Sequence, residues 1–441
     1  MKNFKFLFLL LFLGVVATAQ DNRLSQRQQN PSEIYHNIKK LGFLGSALFV
    51  AAHPDDENTR MISWLANERM AQTAYLSLTR GDGGQNLIGA ELREQLGMIR
   101  TQELLEARNI DGGQQFFTRA NDFGYSKHPD ETLEIWNKDE VLSDVVKVIR
   151  TFKPDIIINR FNHRTPGTTH GHHTSSAMLS YEAFELAGDK NSFPDQLGEV
   201  DTWTPNRLFF NTSWWFYGSR ENFEKADKTN LLQIDAGSYY NYRGLSNSEV
   251  AALSRSQHQS QGFGSSGARG SQLEYIEFLK GDFPSDKSDP FSGINTTWSR
   301  VKGGKAIEKL LRRVLENFNF KNPEASLSSL LKLRNAIQKL DDQYWRSVKL
   351  EETEQLIKSI LSLYIEASTP SKTVAQGNEV NITIEVTNRS SKELSFSISN
   401  VNSPIVQENL TVSSNKSKKK QFSYRIPDSL DATTPYYLIN K

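Results

Sequence analysis

Residues His53-Pro54-Asp55-Asp56-Glu57 place an imidazole and three carboxylates directly after the apolar run Ala47–Ala52. Such a run is typical of a buried parallel strand, and open α/β sheets bind their ligands at the carboxyl ends of the strands. His53 and Asp56 are close enough on a tight turn to reach one metal ion, and catalytic zinc keeps three protein ligands and one open position. Asp55 is then expected to act as general base on a water molecule. The alternative is that an aspartate here caps the following helix.

Four of the eight histidines lie between residues 163 and 173, after the apolar strand Asp155–Asn159. They are His163, His170, His172 and His173. A third metal ligand is expected from this loop. His170 and His173 are spaced to share one helix face, so that one can bind metal while the other donates a proton or polarises a carbonyl. The alternative is a solvated loop that binds metal adventitiously, but two such clusters at two strand ends of one sheet favour a site.

These two segments resemble the LmbE-like, or PIG-L, deacetylases, over approximately residues 43–275. The residues that carry the resemblance are Ala52-His53-Pro54-Asp55-Asp56-Glu57 and His170-Gly171-His172-His173. The resemblance implies a zinc hydrolase that removes the N-acetyl group from N-acetylglucosamine-type sugars.

Carried over position by position, the resemblance makes His53, Asp56 and His173 the zinc ligands. It makes Asp55 the general base and His170 the acid or electrophile. The chain departs from the family's His-x-Asp-His motif because His172 stands where the family has aspartate. That departure keeps the metal ligands but removes a carboxylate expected to support the histidines.

The Gly-rich segment Thr79–Asn86 is similar to the family's sugar-contacting loop. Its glycines let the backbone approach a ligand, and Arg80, Asp82 and Asn86 are candidate substrate contacts. The alternative is a plain turn.

Two further candidates for substrate contact follow later in the chain. Arg100 and Glu103 are similar to the family's Arg-x-x-Glu pattern, although an exposed ion pair explains them almost as well. His258 and Arg269 lie in a polar, Gly-rich stretch, Ser254–Gly270, that is predicted to stay outside the core. This stretch either closes over substrate or only connects two elements.

The elements that would position these residues alternate between strands and helices. This alternation predicts an α/β fold with a Rossmann-like, mostly parallel sheet and flanking helices. The predicted strands are 47–52, 73–79, 115–117, 155–159 and 206–211, and the predicted helices are 58–70, 96–107, 140–152 and 174–187.

The sequence also predicts how the chain is divided into domains. Residues 20–302 are expected to form the deacetylase domain, with a less regular portion after residue 212, and residues 303–368 are expected to be helical. Val380, Ile382, Ile384 and Val386 alternate with polar residues, which is typical of half-buried antiparallel strands. Residues 369–441 are therefore expected to be an incomplete β-sandwich module, and the chain is expected to be a fragment or a truncated product.

The amino-acid composition excludes several classes of protein and of site. The chain has 441 residues with a formal net charge of +1, which gives no basic excess of the kind that nucleic-acid binding requires. Cysteine is absent, which excludes disulfides, thiol nucleophiles and Cys-ligated zinc.

Residues 1–19 are predicted to be a signal peptide. Lys2 and Lys5 precede an apolar stretch, Phe6–Val16, and Ala17-Thr18-Ala19 provides a small-residue cleavage site. The alternative is a membrane anchor, but the apolar stretch is short for a span. The mature protein is expected to be exported, periplasmic or secreted, with no membrane span.

The function expected from these observations is removal of an N-acetyl group from an N-acetylglucosamine-type sugar or conjugate. One zinc ion is the expected cofactor, although two histidines and a carboxylate also suit non-haem iron. The expected partner is a carbohydrate or glycoconjugate substrate. Two alternatives stay open: an amidase acting on a larger sugar-conjugate amide, and an exported carbohydrate-binding protein without catalysis.

Overall fold

A computed structural model describes residues 28–400 and 403–439. The described chain divides into two compact units. The larger contains residues 35–317, 329–353 and 431–439, and the smaller contains residues 28–34, 318–328, 354–400 and 403–430. The predicted signal peptide lies outside the described residues, and export stays a prediction.

The larger unit is built on a seven-stranded sheet with the spatial order β3-β2-β1-β4-β5-β9-β6. Strands β1 to β5 run parallel, whereas β9 runs antiparallel to both β5 and β6. The strands of this sheet are β1 Ser46–Ala51, β2 Gln72–Ser77, β3 Gln114–Phe117, β4 Ile156–Asn159, β5 Arg207–Thr212, β6 Leu231–Asp235 and β9 Leu273–Gly281. A two-stranded ribbon pairs β7 Tyr239–Tyr240 with β8 Leu245–Ser246. The predicted α/β fold with a mostly parallel sheet is confirmed.

Every residue of the central strands β1, β2, β4 and β5 is buried. Two apolar clusters cover the two faces of β1, one containing Phe49 and the other containing Leu48 and Val50. A strand buried on both faces needs side chains that are apolar in succession rather than in alternation. This is why the continuous apolar runs identified β1 and β4 correctly, whereas β2 and β5 also bury polar residues.

Eleven α-helices occur among the described residues. They are α1 Pro31–Lys40, α2 Thr59–Ser63, α3 Glu94–Asp111, α4 Pro129–Trp136, α5 Lys138–Phe152, α6 Gly171–Leu186, α7 Arg220–Lys225, α8 Asn247–Arg255, α9 Gly304–Glu316, α10 Leu327–Ile337 and α11 Gln343–Ile360. Among the described residues, no helix has the length and apolarity that a membrane crossing needs.

The helix predicted over residues 58–70 changes form after Ser63, where a π-helix, Trp64–Glu68, follows α2. The Asn67 side chain donates a hydrogen bond to the Ser63 carbonyl at 2.9 Å, and thus uses the acceptor that a continuing α-helix would need. The Arg69 backbone N–H then bonds to the Trp64 carbonyl, five residues earlier.

The smaller unit contains antiparallel sheets, as the alternating pattern predicts. One sheet has the order β10-β11-β14 and the other pairs β12 with β13. The strands are β10 Tyr364–Ser368, β11 Glu379–Asn388, β12 Leu394–Asn400, β13 Ser403–Val412 and β14 Lys416–Arg425.

Candidate active site

The turn after β1 forms the centre of the candidate site. The Asp56 Oδ2 atom accepts the His53 backbone N–H at 2.8 Å and lies 3.0 Å from His53 Nδ1. Burial works to lower the pKa of His53, but the Asp56 carboxylate outweighs burial and raises it. Both side chains are thereby fixed at the carboxyl end of the strand, as the sequence predicts.

Helix α6 brings a second imidazole to the same carboxylate. His173 lies in its first turn, with Nε2 3.4 Å from Asp56 Oδ1 and its ring stacked 3.9 Å from the Phe161 ring. Burial alone would raise the pKa of Asp56, but the His173 and His53 imidazoles hold it well below its usual range. One ligand atom from each of His53, Asp56 and His173 lies within 4.8 Å of the others. Two imidazoles and one carboxylate at this separation fit a divalent metal ion such as zinc.

A second group of three imidazoles shares His53. His53, His170 and His172 also bring their ring nitrogens within 4.8 Å of one another. His172 is fully buried, with Nδ1 2.9 Å from His53 Nε2, and its Nε2 atom has no hydrogen-bond partner among the described residues. Two sets of donor atoms therefore meet at one histidine.

A carboxylate near these histidines comes from Asp122, a residue that sequence reasoning missed. Its Oδ1 atom lies 3.8 Å from His172 Nδ1 and its Oδ2 atom lies 4.0 Å from His53 Nε2. Asp122 follows β3, so the rule that placed the other residues at strand ends could have found it. A carboxylate from another part of the chain thus lies within ion-pair range of His53 and His172, although beyond hydrogen-bond distance.

His170 is the N-cap residue of α6, with its Nδ1 accepting the backbone N–H of His172 at 3.1 Å. Burial and the neighbouring His53 and His173 lower the pKa of His170 to about 4. The neutral ring, with Nδ1 as acceptor, carries its proton on Nε2. His170 can therefore donate a hydrogen bond through Nε2.

Asp55 lies beside the ligand group in an unusual backbone conformation, with φ of +94°. The Arg255 guanidinium donates to its carbonyl at 3.1 Å, and Arg100 Nη2 lies 3.2 Å from its Oδ1. Burial raises the pKa of Asp55 to about 6, against the opposing effect of Arg100. A carboxylate that the ligand group does not use is thus held at the site.

Beneath this turn, Glu57 joins a buried polar network. One carboxylate oxygen, Oε2, accepts the Asp55 backbone N–H at 2.8 Å. The other, Oε1, lies 2.7 Å from His258 Nε2 and 3.3 Å from Arg108 Nη2. Burial alone would raise the pKa of Glu57, but His258 and Arg108 lower it to about 2. Glu57 therefore fixes the backbone of Asp55 as an ionised, fully bonded group.

Replacing Glu57 with glutamine should lower the free energy of unfolding by about 3 kcal/mol, because it removes the negative charge from a buried pair with Arg108 and replaces a carboxylate oxygen of the network with an amide group. Chemical denaturation measures this difference. The matched control is Glu224→Gln, since Glu224 is exposed on α7, and it should change stability by less than about 0.5 kcal/mol. Equal stabilities of the two variants would contradict the proposed importance of the network.

The residues predicted to contact substrate differ in their surroundings and in their bonding partners. Arg80 pairs with Asp82 at 2.8 Å, and the Asn86 side chain bonds to Glu91. Arg100 is 3% exposed and contacts Asp55, so the alternative of an exposed ion pair with Glu103 is wrong.

His258 is fully buried and contacts Glu57. The expectation that residues 254–270 stay outside the core is wrong for Ser254, His258 and Ser260, each of which is fully buried. Each of these side chains is accommodated by a carboxylate that bonds to one of its polar atoms: Asp111 to Ser254, Glu57 to His258 Nε2 and Glu103 to Ser260. The roles of Arg80, Asp82, Asn86, Arg100 and His258 in substrate binding stay predictions.

A cleft of about 620 Å³ opens beside the ligand group. Asp55, Asp56 and His173 line it, together with Arg160 and Arg255. This volume is large enough for a small-molecule ligand.

One comparison with known proteins, the match to a family model, agrees with the predicted family resemblance. The family model of PIG-L, described as GlcNAc-PI de-N-acetylase, matches residues 48–184. No curated protein sequence matches the chain.

Two solved structures resemble the chain at low identity. One is N,N'-diacetylchitobiose deacetylase from Pyrococcus horikoshii, with a TM-score of 0.31 and 18% identity over 37% of this chain and 59% of that chain. The other is the 4-carboxy-2-hydroxymuconate hydratase from Pseudomonas putida, with a TM-score of 0.37 and 16% identity over 55% of this chain and 99% of that chain. This chain therefore covers less than two thirds of the deacetylase, and neither likeness supports an argument about function. The family match spans β1, the turn that carries His53 and Asp56, and most of α6, and it identifies residues 48–184 as a PIG-L domain.

Proposed function

We propose that this chain is a metal-dependent deacetylase that removes the N-acetyl group from an N-acetylglucosamine-type sugar or conjugate. The observation that carries the proposal is the meeting of His53, Asp56 and His173 within coordination distance, with the Asp55 carboxylate beside them. The PIG-L domain supports the class of reaction, because its family is described as a GlcNAc-PI de-N-acetylase.

His53, Asp56 and His173 would hold the metal ion. Zinc suits this set of two nitrogen ligands and one oxygen ligand, and non-haem iron suits it as well. When bound, such an ion polarises a carbonyl group and makes water more acidic.

Asp55 would take a proton from the attacking water. Its carboxylate is outside the ligand group, and Arg100 at 3.2 Å fixes its orientation. Glu57 and Arg255 hold its backbone from two directions. A base held in this way has little freedom to lose on reaching the reactive geometry.

His170 would stabilise the oxyanion that forms as water adds to the acetyl carbonyl. Its Nε2 carries the proton because Nδ1 accepts the His172 backbone N–H. The hydrogen bond from such a donor becomes stronger as negative charge develops on the carbonyl oxygen. A proton then passes to the departing nitrogen, which releases the free amino sugar and acetate.

The test is release of primary amine by purified protein from a panel of N-acetylglucosamine-bearing compounds, with and without added zinc. Release that requires the metal is expected. The panel includes the same sugars with longer acyl groups and as larger amide conjugates, so that preference for them would indicate the amidase. Binding of the sugars without release of amine, by protein that holds one metal ion, would favour a binding protein and contradict the proposal.

A further inference from the structure

Two arginines line the cleft next to the ligand group. Arg160 directly follows β4, and Arg255 is the last residue of α8. Burial lowers the pKa of the Arg160 guanidinium, Asp56 and Glu274 oppose this effect, and the positive charge of Arg255 adds to it. These two residues, termed the arginine pair, thus place two positive charges in the lining of one cleft.

Buried arginines with a structural role in this protein have many oxygen partners. Arg150 donates to six oxygen atoms and Arg207 donates to three carbonyl oxygens. Arg160, by contrast, makes one long bond of 3.5 Å, to the Asn211 carbonyl. Arg255 donates once, to the Asp55 carbonyl, and its guanidinium lies 3.9 Å from the centre of the Phe263 ring. Most N–H donors of the arginine pair therefore form no hydrogen bond with the described residues and are free to bind a ligand.

The carboxylates of the cleft are engaged by other cations. Glu274 pairs with Arg60 at 2.6 Å, and Asp55 pairs with Arg100 at 3.2 Å. Glu57 is bonded within its buried network. Within the described parts of the chain, neither member of the arginine pair forms an ion pair with a carboxylate. Among the described residues, Asp56 and Glu274 thus stabilise the charge of Arg160 only from beyond ion-pair distance, and both guanidinium groups keep N–H donors free for a ligand in the cleft.

We infer that the arginine pair binds an anionic group of the substrate, so that the preferred substrates are N-acetylated amino sugars with a carboxylate or phosphate substituent. This inference rests on the proposed function. Guanidinium groups match carboxylate and phosphate oxygens with paired N–H donors, which makes such contacts both strong and directional. An anion between the two arginines also removes their mutual repulsion.

The test compares kcat/KM for N-acetylglucosamine, N-acetylglucosamine 6-phosphate, N-acetylglucosamine 1-phosphate and N-acetylmuramic acid. The wild-type protein should prefer at least one anionic sugar over the neutral sugar by about tenfold or more, as expected for a charge-assisted contact. The relative rates of the phosphates and the carboxylate then identify which anion is bound.

Arg160→Gln and Arg255→Gln should each remove most of this preference. Because Arg255 also bonds to the Asp55 carbonyl, the quantity compared is the ratio of anionic to neutral kcat/KM rather than either value alone. The matched control is Arg312→Gln, since Arg312 is exposed on α9, and it should keep the wild-type ratio. If Arg160→Gln does not fold, Arg255→Gln provides the same comparison.

Equal kcat/KM for neutral and anionic sugars in the wild type would overturn the inference and leave the proposed deacetylase intact. An unchanged ratio in both folded glutamine variants would also overturn it. If no compound releases amine, the proposed function fails. The arginine pair can still be tested by calorimetry, which compares the affinity of the protein for N-acetylglucosamine 6-phosphate with its affinity for N-acetylglucosamine. Tighter binding of the phosphate that is lost in both variants would support the inference, and equal binding would contradict it.

Discussion

Replacing Asp55 with asparagine is expected to lower kcat by about 10²–10⁴-fold while the protein keeps one equivalent of metal. Asparagine has the shape of aspartate and tolerates positive φ better than most residues, so the strained turn at φ +94° is preserved. The side-chain amide of asparagine, however, cannot accept a proton from water. Amine release measures the rate, and elemental analysis of the purified variant measures the metal.

The matched control for Asp55 is Asp201→Asn, because the Asp201 side chain is 91% exposed and pairs only with Lys153 at 3.6 Å among the described residues. It should retain wild-type turnover. Two results would contradict the assignment of Asp55 as the base: wild-type turnover in Asp55→Asn, or loss of metal from that variant. The second result would make Asp55 a ligand.

Replacing His173 with alanine should weaken metal binding by more than about 100-fold and abolish turnover, because a ligand is lost and not only a supporting contact. His173 is the member of the group that α6 contributes, with Nε2 3.4 Å from Asp56 Oδ1. Metal titration of the dialysed protein measures the affinity. His163→Ala is the matched control, since His163 belongs to the same histidine-rich segment but stacks on Tyr181, 4.1 Å away.

The same measurement on His172→Ala distinguishes the two groups of ligands. Loss of metal from His172→Ala together with retention in His173→Ala would show that the three imidazoles of His53, His170 and His172 hold the ion. That outcome would refute the role assigned to His173. The expected result is the reverse, because the Asp56 carboxylate supplies negative charge to the His173 group.

The turn after β1 could be predicted from sequence because its chemistry is local. His53 and Asp56 are three residues apart, and the apolar run before them identifies a buried strand. The same reasoning places the histidine-rich segment 163–173 near this turn, since it follows another parallel strand, whereas the choice of His173 as the ligand came from the family resemblance. A rule about strand ends brings together residues from different segments without knowledge of their side-chain contacts.

Other parts of the site depend on contacts that sequence patterns do not contain. His258 lies in a polar, Gly-rich stretch, and its burial makes sense only beside Glu57, which is 201 positions away in the chain. The significance of Arg160 likewise depends on the absence of a carboxylate partner among the described residues, a property of the folded arrangement. Strands β6 and β9 were not predicted. Each contains exposed or half-buried positions, and the polar residues at these positions interrupt the apolar pattern.

The antiparallel strand β9 has a consequence for the order in which the chain can fold. It lies between β5 and β6, and β6 has no other neighbour in the sheet. During synthesis, β6 is therefore made before β9, its one partner among the described strands, and residues 236–272 must emerge in between. Until β9 inserts, β5 has an open edge of the kind that recruits other chains. Glu274, which lines the cleft, belongs to this late strand, so assembly of the cleft waits for the strand that seals the sheet.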